Sequence, residues 1–66
     1  MVNSNKLKGK ITEQGYTMKE VAAKIGIRQQ TLSTKLHNKS SFRADEMVKL
    51  CGLLNITDIK EYFYAD

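Results

Sequence analysis

The side chains with the most hydrogen-bonding chemistry to offer are crowded into one short stretch, Arg28-Gln29-Gln30-Thr31-Leu32-Ser33-Thr34-Lys35. Carboxamides, hydroxyls and cations at that density suit recognition of a polar partner. Bond-breaking chemistry needs an activated nucleophile or a matched acid–base pair, and the sequence offers neither. The single His37 has no Cys or His at metal-ligand spacing and no evident nucleophile, so it reads as a helix-end imidazole near the dipole. The single Cys51 falls on an apolar stripe and reads as core. These residues imply a binding protein: no enzyme, no metal, no cofactor and no small-molecule ligand.

The polar stretch must sit on a helix, because Leu32 and Leu36 are spaced i, i+4 and every other position is polar. A helix from Arg28 or Gln29 to about His37 follows. Asn38 is its C′ residue, able to take a positive φ, and Lys39-Ser40-Ser41 form a polar loop. Upstream, Thr17-Met18-Lys19-Glu20 reads as a capping box that starts a helix at Met18, with Tyr16 stapling onto Val21 or Ala22. Val21, Ala22 and Ile25 give that helix a buried side and Gly26 stops it. A first helix starts after Asn3 or Ser4, both good N-cap types, and runs to about Gln14 on Leu7 and Ile11, closed by Gly15.

A fourth helix, about Ala44 to Leu54, opens with Asp45 and Glu46, where the helix dipole favours acids, and turns Met47, Leu50, Cys51 and Leu54 inward. Asn55 ends it. Thr57 and Asp58 cap a short last helix holding Ile59, Tyr62, Phe63 and Tyr64. With no alternating strand pattern and no repeat, residues 1–66 are expected to form one all-α, compact five-helix domain, near the size limit for a single unstapled core.

Charge is unevenly placed along this chain. Residues 1–43 carry nine Lys and Arg against Glu13 and Glu20, a formal +7, and residues 44–66 carry −3, giving the net +4. A polyanion would meet the N-terminal two thirds first.

Two helices that cross steeply through a short turn impose demands at fixed positions. The first needs a small residue at the crossing, supplied by Ala22; the turn needs a residue tolerant of positive φ, supplied by Gly26 four positions on. Ile27 and Leu32, five and ten positions beyond Ala22, point back to the core. With these residues in place, TMKEVAAKIGIRQQTLSTKLHNKS resembles the helix-turn-helix of Cro/C1-type (XRE-like) transcriptional regulators, whose fold is lambda-repressor-like. The likeness extends over the chain to short Cro-like prophage regulators of Gram-positive bacteria.

The resemblance implies a motif at residues 17–36 and a recognition helix at about 28–37. It places Gln29 and Gln30 at the start of that helix, where Gln can bond adenine N6 and N7 bidentately, with Ser33 and Thr34 on the same outward face as Gln30. Phosphate or mixed contacts are implied for Thr17, Met18, Arg28, Thr31, Lys35, Asn38 and Lys39. Three departures stand out. Lys35 stands where an aliphatic residue often sits, and here the aliphatic has moved to Leu36. Met18 occupies a position where many family members carry a phosphate-touching Gln, and Arg28 replaces the usual Ser/Thr cap of the recognition helix.

The family role would be occupancy of operator DNA by a homodimer, since two subunits about 34 Å apart read a palindrome. Tyr62, Phe63 and Tyr64 are the dimer-interface candidates. The alternative is a protein-interaction module such as an antitoxin or antirepressor. No apolar run approaches the roughly 18 residues that span a membrane, so the expected location is the cytoplasm.

Overall fold

Most of the helix ends lie where a side chain or a left-handed backbone angle satisfies orphan peptide groups. The computed structural model describes residues 1–64, and five helices run through them: α1 (Ser4–Glu13), α2 (Met18–Ile25), α3 (Gln29–Leu36), α4 (Ala44–Leu54) and α5 (Ile59–Phe63). The expected all-α, five-helix architecture is the observed one. Asn3 caps α1 by accepting from Lys6 N at 3.1 Å, and Asp58 caps α5 by accepting from Glu61 N at 3.3 Å. At α2 the capping box is complete: Thr17 Oγ1 accepts from Glu20 N at 3.1 Å, and Glu20 Oε1 accepts from Thr17 N at 2.9 Å. Hydrogen bonding from Thr17, first by its backbone N–H and then by its side chain, holds the Glu20 carboxyl below its usual range.

The C-terminal ends of α1 to α4 share one device. Gly15, Gly26, Asn38 and Asn55 take left-handed φ angles of 81°, 82°, 63° and 58°. In each case the following residue donates its N–H to the carbonyl five positions back: Tyr16 to Ile11, Ile27 to Ala22, Lys39 to Thr34 and Ile56 to Cys51. This is the Schellman closure, and it favours glycine or asparagine, the residue types present.

The core gathers Leu7 and Ile11 of α1, Val21, Ala22 and Ile25 of α2, Leu32 and Leu36 of α3, Leu50 and Leu54 of α4, then Ile56 and Phe63. Each fully buried leucine contributes about 1.5–3 kcal/mol. The α2–α3 contact is the most extensive, followed by α2 with α4 and α1 with α5. The last of these is tied by Asn3 N donating to Tyr62 O at 2.8 Å and by a Lys6–Glu61 ion pair at 2.6 Å.

Phe63 corrects one sequence expectation. It is 3% exposed and packs edge-on against Phe42, ring centroids 5.6 Å apart, so it belongs to the core and not to a dimer interface. Three successive aromatics at the end of α5 point in different directions and cannot all turn outward: Tyr62 is half-buried and Tyr64, just past the helix and 59% exposed, is the exposed one.

Candidate nucleic-acid interface

Ala22 is buried where α2 packs on α3, and the left-handed Gly26 lets the chain reverse within the three residues Gly26, Ile27 and Arg28. This turn fixes the rotation of α3. Leu32, Lys35 and Leu36 face inward. At 100° per residue, the opposite side is the row Gln30, Ser33, Thr34 and His37, spaced i, i+3, i+4 and i+7. Gln29, Gln30 and His37 are exposed along α3 and its end, while Thr31, Ser33 and Thr34 are half-buried. Among the expected base-reading residues, Gln30, Ser33 and Thr34 are thus brought onto one face, with Gln29 exposed at the helix start.

Thr34 Oγ1 donates to Gln30 O at 2.9 Å. Its hydroxyl hydrogen is engaged within the helix, which leaves a methyl group and an acceptor oxygen for a partner. Arg28, at the N-cap of α3, makes no side-chain cap bond, as its replacement of Ser/Thr implies. Its guanidinium is exposed beside the helix start.

Lys35 is the main correction to the expected phosphate contacts. It is 8% exposed, and its Nζ donates to Glu46 Oε1 of α4 at 2.5 Å, inside the protein. The physical reason is rotation: Lys35 lies between Leu32 and Leu36 on the inward side, where only a cation with a partner can be buried. Glu46 Oε1 also accepts from Arg43 N at 2.9 Å. Burial raises the Glu46 carboxyl pKa, but the bonds from Lys35 and Arg43 N outweigh it and hold the group below its usual range. The sequence placed Glu46 only as a dipole partner.

Asn38 has a structural task as well. Its side-chain amide is engaged at both ends by the N-terminal segment, Oδ1 accepting from Val2 N at 2.7 Å and Nδ2 donating to Val2 O at 3.0 Å. It holds the chain start beside the end of α3, and one Nδ2 hydrogen lies outside these two bonds. Met18 is half-buried and packs against the core, and Thr17 is exposed with its hydroxyl in the capping box. Lys39 is exposed in the loop after α3.

No Asp or Glu occurs between Glu20 and Asp45, so α3 and its flanks present cations without interspersed carboxylates. Lys19, Lys24, Arg28 and Lys39 are exposed, and none pairs with a carboxylate among the described residues. Lys24 lies over the Tyr16 ring at 5.9 Å from its centroid.

His37 and Lys8 also meet at this face and are not among the contact residues expected from the sequence. His37 continues the Gln30–Thr34 row by one more turn, a spacing visible in the sequence. Lys8 comes from α1, and no local pattern announces it. Its Nζ lies 2.9 Å from His37 Nε2, while His37 Nδ1 lies 2.8 Å from Ser33 O.

Elsewhere, burial pushes the half-buried Cys51 thiol up, which disfavours the reactive thiolate. Among the described residues, no three His, Cys, Asp or Glu converge as a metal site, and no helix is long and apolar enough to cross a membrane. A groove of about 390 Å³ lies behind the end of α3, walled by Phe42, Met47, Phe63 and Tyr64.

No curated protein matches the sequence. Residues 2–66 match the family described as Protein of unknown function (DUF739), and with nearly its whole length covered the chain belongs to that family.

Proposed function

We propose that this protein is a sequence-specific, duplex-DNA-binding transcriptional regulator of the Cro/C1 type that acts by occupying operator sites. The observation that carries this reading is the division of α3. One side is anchored by Leu32, Leu36 and the paired Lys35, and the other presents Gln30, Ser33, Thr34 and His37 in an acid-free, cation-flanked row. A rigid helix with a polar outer row is the shape and chemistry that enters a major groove, where carboxamides and hydroxyls meet base edges.

Roles follow from position. Gln29 and Gln30 read bases, with Gln suited to adenine. Thr34 offers its methyl to thymine, and Ser33 supports the same row. Arg28 and Lys39, at the two ends of α3, neutralise phosphates and set register. The chain spans 27 × 23 × 20 Å, shorter than the roughly 34 Å between successive major-groove faces on one side of the duplex, so one copy fits one half-site. A palindromic operator then requires two copies, with Tyr62 and the exposed Tyr64 as the surface aromatics available for pairing.

Selection from random duplex DNA, followed by titration of the selected site against salt, tests the reading. The expected result is an enriched, A·T-containing motif and a linear fall of log affinity with log salt concentration. Absence of any duplex affinity, together with tight capture of a partner protein, would establish the antitoxin or antirepressor alternative instead.

A further inference from the structure

The contact between α1 and the end of α3 has a chemistry of its own. A lysine ammonium can only donate, so His37 Nε2, at 2.9 Å, must accept with a lone pair. The proton of that imidazole is then on Nδ1, where Ser33 O, at 2.8 Å, is positioned to accept it. Both distances are satisfied by one tautomer of a neutral ring. The imidazole acts as a strut: its Nδ1 is fixed to the helix backbone and its Nε2 holds a cation from another helix.

That cation is distinguished from its neighbours on α1. Lys6 is paired with Glu61 at 2.6 Å and Lys10 lies 3.8 Å from Glu13. Lys8 has no carboxylate partner among the described residues, and one of its three N–H donors is engaged by His37. It is exposed, and it is held next to the last residue of the outward row of α3.

We propose that Lys8 and His37 form a phosphate anchor at the outer end of the α3 row: His37 orients the Lys8 ammonium, whose two remaining donors bond one backbone phosphate of duplex DNA. The proposal rests on the DNA-binding reading of α3 and adds α1 to the contact surface. Because it concerns phosphate, its contribution is the same for every sequence. Lys8 is the contacting residue and His37 the positioning one. An unheld lysine loses rotamer entropy when it docks, a loss the His37 bond reduces in advance.

The test measures binding of a short mixed-sequence duplex across a salt series for the full chain, Lys8→Gln, Lys8→Arg, His37→Leu, His37→Gln and, as a reference on α5, Lys60→Gln. Lys8→Gln is expected to reduce the slope of log affinity against log salt by about one, beyond any change in Lys60→Gln, while Lys8→Arg retains the slope. His37→Leu is expected to weaken binding with the charge of Lys8 still present, and His37→Gln, whose Oε1 can accept from Lys8, restores it. A Lys8→Gln slope equal to that of Lys60→Gln overturns the anchor, and His37→Leu binding equal to wild type overturns its positioning by the imidazole. If the unmodified chain shows no salt-dependent duplex binding, the DNA reading falls and the anchor with it. That failure is visible before any variant is made.

Discussion

The two sides of α3 treat a lysine ammonium in opposite ways. On the inner side Lys35 is enclosed, its charge met by Glu46 of α4 at 2.5 Å. On the outer side Lys8, reaching over from α1, is met by the neutral imidazole of His37 at 2.9 Å and keeps its full charge toward solvent. A carboxylate partner removes a cation from the field that an approaching polyanion feels; a neutral acceptor aims the cation without cancelling it. Net charge does not separate these two lysines. Their partners do.

Removing the inner partner is expected to have the largest effect on the molecule. Glu46→Ala leaves the Lys35 ammonium buried without its acceptor and should destabilise the fold by about 3–5 kcal/mol in chemical denaturation. In a chain of 66 residues that is a large share of the total stability. Lys35→Met combined with Glu46→Leu should recover most of the loss, because a packed apolar pair replaces both charge and desolvation; what remains is the Arg43 N–H bond, about 1 kcal/mol. A double variant as unstable as the single one would mean that the pair is not what holds α3 on α4.

Acid should act on the same contact. The folded Glu46 carboxyl lies below its usual value of 4.5, so its stabilisation is complete above that pH and is lost as pH falls through the folded value. Stability measured between pH 6 and pH 2, a range spanning about two units either side of the reference carboxylate pKa, should therefore fall less steeply in Glu46→Gln than in wild type. Equal slopes would place the proton-linked stability at other carboxylates.

On the outer side the expected loss is in recognition and not in folding. Gln30→Ala should lower affinity for the selected site by about 1–3 kcal/mol while leaving mixed-sequence binding and the salt slope unchanged. A uniform drop across sequences would make Gln30 a backbone contact and leave base reading to Gln29, Ser33 and Thr34.

These contrasts also mark what the sequence could disclose. Helix boundaries were legible because Thr17, Glu20, Gly15, Gly26, Asn38 and Asn55 act within a few residues of themselves through caps and left-handed turns. The outer row of α3 was legible from the spacing of Leu32 and Leu36, which fixes the opposite side by geometry. The same spacing, and the aliphatic often found at position 35 in the family it resembles, place Lys35 inward, but its acceptor lies eleven residues away on another helix, so its cationic chemistry suggested a phosphate contact. Lys8 and His37, 29 residues apart, meet only through tertiary packing. Asn38 was read correctly as a left-handed terminus, whereas the engagement of its side chain by Val2, 36 residues away, was not local information.

Arg28 offers the smallest and sharpest contrast, because stability and binding should move in opposite directions there. It occupies the N-cap of α3 without making a cap bond, so the first N–H groups of that helix lack a side-chain acceptor from this residue. Arg28→Ser supplies one and should raise stability by about 1 kcal/mol. It also removes a cation from the entry of the outer row, so mixed-sequence binding should weaken and the salt slope should drop by about one. A gain in stability with binding unchanged would show that the guanidinium touches no phosphate, and the cationic frame at that end of α3 would then rest on residues other than Arg28. If stability and binding both rise, the N–H groups of α3, once organised by the Ser cap, are the better phosphate ligand, and the arginine stands in their way.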